Sequence, residues 1–144
     1  MPDDATEPDL FHGTAVALDG RALLLRGRSG SGKSTLAREL ISRGAILVAD
    51  DRVLVTPREA GLVASAPHRL AGLLEARGVG ILQLAFTSAP IVAVIDMDSA
   101  ESDRLPQRHD TVIAGETLAM LRKVESPAFP AMLIAYLKGG RREV

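Results

Sequence analysis

The chain has 144 residues, which suits one domain, and its apolar fraction of 47% is enough for a sizeable core that must be aliphatic, since only 3% of residues are aromatic. A formal net charge of −1 does not suggest a nucleic acid or an anionic membrane as a ligand, and the absence of cysteine excludes disulfides, thiolate metal sites and thiol catalysis. The acidic start lacks the apolar segment of a signal peptide, and no apolar run approaches the roughly 20 residues that span a bilayer, so a soluble cytoplasmic protein is expected.

The first elements form a hairpin that leads into a glycine-rich loop. Residues 1–9 are expected to be a frayed acidic arm. Strands are predicted at residues 10–18 and 21–26, joined by the hairpin turn Asp19-Gly20. The glycine-rich loop follows the second strand directly, so a hairpin precedes the loop. In the usual nucleotide kinase the loop instead comes within the first turns of the chain.

A helix and a buried strand follow the loop. The helix should run from about Lys33 to Arg43, where Gly44 ends it. The short apolar run at residues 45–49 is typical of a strand that is buried on both faces. Strand, loop, helix and strand in this order predict an α/β domain with a βαβ unit around the loop.

The remainder of the chain should alternate strands, turns and helices. Strands are predicted at residues 52–56, 62–66, 81–84 and 91–97, and helices at residues 67–77 and 126–138. Residues 98–110 are polar and should form a surface loop, and residues 111–121 carry mixed short strand signals. With residues 139–144 as a frayed basic tail, we expect a single domain over residues 10–138.

Residues 27–34 read GRSGSGKS, which matches the phosphate-binding pattern G-x-x-x-x-G-K-[ST]. Glycines let the backbone turn its N–H groups towards an anion, and the helix that follows adds free N–H groups and the positive end of its dipole. Lys33 can reach the β- and γ-phosphates, and the Ser34 hydroxyl can ligate Mg²⁺. The alternative is a glycine-rich turn with an ordinary surface lysine.

Carboxylates follow the next predicted strand. Asp50 and Asp51 end the strand at residues 45–49, and parallel strands direct their carboxyl ends into one crevice. One aspartate could hold the metal while the other accepts a proton from an attacking hydroxyl. A solvated Asp-Asp turn is the alternative. Glu75 and Arg77 precede a glycine turn and could reach a metal and a phosphate from it, but a solvated pair at a helix end is the favoured interpretation of these two residues alone.

These blocks together resemble one family. The loop at residues 27–34, LVADD at residues 47–51 and LLEARGVGI at residues 73–81 are similar to the catalytic domain of HPr kinase/phosphorylase. The match extends to His12-Gly13 and to DRL at residues 103–105. The resemblance implies a P-loop kinase domain with a mixed sheet, akin to phosphoenolpyruvate carboxykinase, that uses ATP and Mg²⁺ to phosphorylate a seryl hydroxyl on the phosphocarrier protein HPr.

The resemblance also implies site roles. Lys33 would bind phosphate, Ser34 and Glu75 would take the metal, and Asp51 would be the proton acceptor, with Asp50 beside it as a catalytic or metal-binding residue. His12 would neighbour the aspartate, and Arg104 would act on the transferred phosphoryl group. The residues expected around the nucleotide phosphates are Gly27, Arg28, Ser29, Gly30, Ser31, Gly32, Lys33, Ser34 and Thr35.

The chain departs from the family in several places. Full-length members carry a further N-terminal domain, and the family's mobile segment is shortened here to residues 83–90. The basic V-R-P-G-R-N stretch that the family uses for dephosphorylation has no good counterpart at residues 121–127, so the kinase reaction is better supported than the phosphorylase reaction. The C-terminal helix is truncated or missing. Such short forms resemble those of alphaproteobacteria; the family's hexameric assembly implies a homo-oligomer.

Two other functions remain open from the sequence. A small-molecule kinase would use the same loop on a metabolite, and a panel of acceptors with labelled ATP would reveal it. A nucleotide-sensing module would bind nucleotide without turnover, although a pure binder has no need of Asp50, Asp51 and Glu75.

Overall fold

The computed structural model describes residues 7–142, and it contains eleven strands and two α-helices. The strands are β1 (Asp9–His12), β2 (Thr14–Leu18), β3 (Arg21–Arg26), β4 (Ile46–Ala49), β5 (Arg52–Arg58), β6 (Gly61–Ser65), β7 (Leu73–Ala76), β8 (Gly80–Gln83), β9 (Ala89–Ala100), β10 (His109–Ile113) and β11 (Glu116–Lys123). The helices are α1 (Lys33–Ser42) and α2 (Phe129–Gly139). The arm and tail expected at the two ends include residues 1–6 and 143–144, which lie outside the described residues.

Nine of the strands form one mixed sheet, which confirms the α/β class with a mixed sheet. The order is β1-β5-β6-β9-β3-β2-β4, with β11 on β9 and β10 on β11. Strand β9 is parallel to β3 and to β11, and the other pairs are antiparallel. Strands β7 and β8 form a separate hairpin.

The βαβ unit predicted around the loop is present, with one strand inserted. Strands β3 and β4 are both antiparallel to β2, which lies between them, so β3 and β4 run in the same direction. Helix α1 connects them. The loop at residues 27–34 and the pair Asp50-Asp51 therefore leave the sheet at the same edge.

The central strands are buried on both faces. In β3, Leu24 belongs to one apolar cluster, and Leu23 and Leu25 belong to the other. Helices α1 and α2 cover the second cluster with their buried apolar residues, while β5 and β6 contribute to the first. Burial on both faces explains the unbroken apolar runs of the sequence. No helix in the described part of the chain is long and apolar enough to cross a membrane.

The strand predicted at residues 10–18 is divided at Gly13. Strand β1 pairs with β5, whereas β2 pairs with β3 and β4. A Cβ atom on Gly13 would lie 2.5 Å from the Leu25 carbonyl oxygen, so the backbone passes here at a distance that only glycine allows. Because the strand is divided, β1 leaves the β2–β3 hairpin and pairs with β5, where His12 lies opposite Arg52.

The prediction of a helix at residues 67–77 is wrong. A single 3₁₀ turn (His68–Leu70) is followed by Gly72, whose φ is +79°, and then by the β7–β8 hairpin. The leucine spacing fits one face of a helix, but burial alternates along β7, with Leu74 and Ala76 buried and Glu75 exposed. A Cβ on Gly72 would lie 2.7 Å from the backbone oxygen of Leu84, so this close crossing requires the glycine.

Other differences concern the ends of elements. Strand β9 continues to Ala100, into residues that were expected to begin a surface loop. The mixed strand signals at residues 111–121 resolve into the β10–β11 hairpin, whose turn residues Ala114 and Gly115 have φ of +50° and +80°. The helix expected at residues 126–138 is confirmed as α2.

We expect Gly13→Ala to lower the free energy of unfolding by about 1–3 kcal/mol, because the Leu25 carbonyl belongs to a central strand and cannot move aside cheaply. Chemical denaturation followed by circular dichroism measures the change. Gly139→Ala is the matched control, since a Cβ there meets nothing within 4 Å, and it should cost nothing. Equal losses in the two variants would contradict the close-packing explanation.

Candidate active site

A cleft of about 920 Å³ lies at the edge of the sheet where β3 and β4 end. It brings together the glycine-rich loop, the aspartate pair, the end of β1 and the β7–β8 hairpin. Its lining residues are His12, Gly13, Thr14, Gly27, Arg28, Ser29, Gly30, Gly32, Lys33, Ser34, Thr35, Arg38, Asp50, Asp51, Glu75 and Arg77. Residues from four separate segments of the chain therefore face one space.

The glycine-rich loop has the backbone of an anion cradle. Gly27, Gly30 and Gly32 have φ of +151°, +84° and +102°, values that L-residues rarely adopt, and α1 begins directly after Gly32. The first-turn N–H groups of α1 are thereby directed towards the cleft, where they favour an anion. The buried Ser31 hydroxyl finds no hydrogen-bond partner in the described part of the chain. An orphaned donor at this position fits a loop built to receive acceptor oxygens.

Lys33 lies across the mouth of this loop. Its Nζ donates hydrogen bonds to the carbonyl oxygens of Gly27, at 2.5 Å, and of Arg28, at 3.1 Å. The loop is fixed from the other side by Asp98, whose two carboxylate oxygens each accept a hydrogen bond from the Arg28 N–H at 3.2 Å. Lys33 therefore places its charge beside the amides that would hold phosphate.

Asp50 accepts two hydroxyl hydrogen bonds on one oxygen. Its Oδ1 is 3.1 Å from Thr14 Oγ1 and 3.3 Å from Ser34 Oγ. Thr14 is only 1% exposed, so this contact is shielded from water. Phosphoryl-transfer sites use such a pair, the loop serine and a neighbouring carboxylate, as ligands of Mg²⁺.

Asp51 differs from its neighbour in both backbone and exposure. Its φ of +70°, together with the hydrogen bond from the Arg52 N–H to the backbone carbonyl oxygen of Asp50 at 2.8 Å, describes a strained γ-turn. The Gly13 N–H donates to the Asp51 carbonyl oxygen at 3.1 Å and supports this turn. The Asp51 side chain is 83% exposed, and its nearest cation, Arg52 Nε, is 4.0 Å away. The two carboxylates therefore point into different surroundings.

The remaining predicted residues divide into two groups. His12, Glu75 and Arg77 line the cleft, His12 from the end of β1 and the other two from the β7 side of the hairpin. Arg104 is exposed in the loop after β9 and does not line this cleft, so its role stays a prediction.

The cleft suits Mg²⁺ better than a metal that needs many protein ligands. Within residues 7–142 there is no group of three or more His, Cys, Asp or Glu side chains placed to hold a metal. Mg²⁺ is usually held by one or two carboxylates together with substrate phosphates and water. Asp50 and Ser34, beside the phosphate cradle, fit that requirement.

Three residues that sequence reasoning overlooked also shape the site. Thr14 orients Asp50, Asp98 anchors the loop, and Arg38 lines the cleft from α1 and bonds Thr35 Oγ1 at 3.3 Å. A threonine at the start of an apolar strand and an aspartate beyond the predicted end of another were the available signals. Neither signal is specific, since each depends on which strands are neighbours.

Comparison with known proteins gives the same family as the sequence motifs. The protein-family model described as "HPr Serine kinase C-terminal domain" matches residues 4–90. The HPr kinase/phosphorylase of Clostridium acetobutylicum is 45% identical over 83 residues, which cover 57% of this chain and 27% of that protein. That of Limosilactobacillus reuteri is 39% identical over 114 residues, which cover 70% of this chain and 36% of that protein. The chain thus spans only about a third or less of these relatives.

A solved structure shows the same fold. The Hpr(Ser) kinase/phosphatase from Coxiella burnetii superposes with a TM-score of 0.72 and 22% sequence identity, covering 90% of this chain and 88% of that one. At that identity the likeness concerns the fold alone. The matching family model and the motifs gathered in the cleft show that the chain belongs to the HPr serine kinase C-terminal domain family.

Proposed function

We propose that this protein is an ATP- and Mg²⁺-dependent kinase that phosphorylates a seryl hydroxyl on an HPr-like phosphocarrier protein of a phosphotransferase system. One observation carries the proposal: a single cleft gathers a phosphate cradle, a serine–aspartate metal pair and a second, exposed aspartate. These are the parts that phosphoryl transfer requires. The relatives are named HPr kinase/phosphorylase, which supplies the acceptor class.

The donor phosphates would lie on the glycine-rich loop. The loop amides and Lys33 stabilise negative charge on them, and Lys33 is already placed at the loop mouth by two carbonyl contacts. Ser34 and Asp50 would hold Mg²⁺, with Glu75 facing the same cleft as a further ligand. Bound Mg²⁺ would neutralise charge that develops during transfer.

The proton of the attacking serine would pass to Asp51. Asp50 Oδ1 is engaged by Thr14 and Ser34, whereas the Asp51 carboxylate is exposed in the cleft and free of hydroxyl partners within the described residues. A general base has to be reachable by the acceptor hydroxyl. This difference supports Asp51 as the base and Asp50 as the metal-side carboxylate. His12 and Arg77 would position groups around them.

The finer features of the family complete the proposal. They comprise the relation to the phosphoenolpyruvate carboxykinase fold, hexameric assembly and Arg104 acting on the phosphoryl group. We propose the kinase reaction alone, because residues 121–127 differ from the segment that the family uses for the phosphorylase reaction.

The direct test incubates the protein with ATP, Mg²⁺ and a purified HPr-type carrier, and maps the modified residue by mass spectrometry. A phosphoserine on the carrier is the expected result. Nucleotide binding without any transfer would contradict the proposal and favour a sensing module. Transfer to a metabolite in a parallel acceptor panel, with none to the carrier, would favour a small-molecule kinase.

Lys33→Ala and Asp51→Asn should each lower the rate of transfer to the carrier by at least about 100-fold, because one removes charge stabilisation and the other the general base. Initial rates with labelled ATP measure the effect. The matched controls are Lys138→Ala and Asp19→Asn, both exposed and outside the cleft. Rates within about twofold of the unmodified protein for either cleft variant would refute the assigned role.

The two aspartates should separate in nucleotide binding. Asp50→Asn should remove most of the gain in ADP affinity that Mg²⁺ provides, about tenfold or more, since it takes away a charged partner of the metal. Asp51→Asn should keep that gain. Calorimetric titrations of ADP with Mg²⁺ and with EDTA measure both, and equal behaviour of the two variants would show that the division of roles is wrong.

A further inference from the structure

The last part of β9 forms the floor of the glycine-rich loop. Strand β9 is the direct neighbour of β3 and runs parallel to it, so both strands reach the same edge of the sheet where β3 enters the loop. The buried Met97 lies beneath both ends of the loop. A Cβ on Gly27 would lie 3.1 Å from Met97 Cβ, and a Cβ on Gly32 would lie 3.5 Å from its terminal methyl carbon. The shape of the loop therefore depends on the end of β9.

Asp98 holds the start of this loop by its main chain. The Arg28 N–H donates to both carboxylate oxygens of Asp98, each 3.2 Å from the nitrogen. Arg28 Nε also lies 3.6 Å from Asp98 Oδ1, but both side chains are exposed, and an exposed ion pair contributes little. A hydrogen bond from a backbone N–H to a carboxylate is stronger than one to a neutral acceptor. The main contribution of Asp98 is therefore to fix the backbone of Arg28.

Lys33 holds the same segment from its other side. Its Nζ donates to the carbonyl oxygens of Gly27 and Arg28, so Asp98 binds the N–H of Arg28 while Lys33 binds its carbonyl. In its proposed role, Lys33 has to turn from these carbonyls towards the phosphates. Among the described residues, Asp98 is then the remaining side chain that is hydrogen-bonded to the backbone of residues 27 and 28.

Asp98 is itself held by its neighbours on the sheet. Its N–H donates to Asp96 Oδ1 at 3.0 Å, and Asp96 Oδ2 lies 3.8 Å from the guanidinium of Arg26, its partner on β3. Arg26 in turn donates to the Thr111 hydroxyl of β10 at 2.9 Å. The Asp98 carboxylate thus stands on a backbone that three strands support, which is the arrangement that keeps a functional loop preorganised.

The position of Asp98 separates it from the metal-side residues. It does not line the cleft that Ser34 and Asp50 share, and the Arg28 N–H engages both of its oxygens. Its contacts are those of a group that shapes the phosphate cradle from outside the cleft.

We propose that Asp98 is a positioning residue for the phosphate donor: it holds the Arg28 peptide so that the loop amides and Lys33 converge on the phosphates. The inference rests on the proposed function for the donor side and extends it to a residue outside the cleft. A preformed cradle does not have to be ordered by its ligand. Loss of the Asp98 contact should therefore weaken binding of the donor phosphates and leave the acceptor side unchanged.

The test titrates pyrophosphate with Mg²⁺ into the unmodified protein and two Asp98 variants by calorimetry. Asp98→Asn replaces the charged acceptor with a neutral one and should weaken binding about tenfold or more. Asp98→Glu keeps the carboxylate, at a 41% exposed position with room for one more methylene, and should recover most of that loss. In the carrier assay, Asp98→Asn should raise the KM for ATP by a similar factor and keep the KM for the carrier within about twofold.

Asp110→Asn is the matched control, because Asp110 is 48% exposed, also pairs with an arginine and does not line the cleft. It should leave pyrophosphate affinity unchanged. The inference is overturned if Asp98→Asn binds pyrophosphate within about twofold of the unmodified protein, if it does not fold, or if Asp98→Glu is no better than Asp98→Asn. Intact pyrophosphate binding without transfer to the carrier would overturn the proposed function and leave this inference standing.

Discussion

The carboxylate of Asp50 joins three segments that are distant in sequence, and the geometry of the active site depends on it. It follows β4, and its Oδ1 accepts hydrogen bonds from Thr14 at the start of β2 and from Ser34 in the first turn of α1. The contact with Thr14 is shielded, because that residue is buried in the sheet. This shared acceptor thus fixes the distance between the glycine-rich loop and the aspartate pair. A metal ion that bridges phosphate and protein would require that distance to be constant.

A second constraint gives two adjacent carboxylates different surroundings. Two aspartates on a regular strand would alternate across it, but the positive φ of Asp51 turns its side chain into the open cleft while Asp50 stays engaged. Such a backbone costs about 1–3 kcal/mol and persists only where its surroundings determine it. Here the N–H groups of Gly13 and Arg52 do so. Because Gly13 also divides β1 from β2, the same residue that brings His12 to the cleft supports the turn at Asp51.

The parts of the fold that the sequence predicted are those whose signals are local. The glycine-rich loop, helix α1 and the strand before Asp50 follow from spacing within a few residues. The prediction of a helix at residues 67–77 failed because Leu70, Leu73 and Leu74 have the spacing of a helix face, whereas the backbone is decided by Gly72, which crosses close to the backbone of Leu84. The position of β2 between β3 and β4 and the hydrogen bond from Thr14 to Asp50 could not be predicted from the sequence, because both depend on which strands pair.

The segment at residues 121–127 is held independently of the aspartate pair. The Lys123 carbonyl accepts from the Glu101 N–H, and the Ser126 hydroxyl accepts from the Ala128 N–H at the start of α2. None of these hydrogen bonds involves Thr14, Ser34 or Asp50, whose own contacts link the glycine-rich loop to the aspartate pair. A departure from the family pattern at residues 121–127 is, on this geometry, compatible with an unchanged arrangement of these three residues.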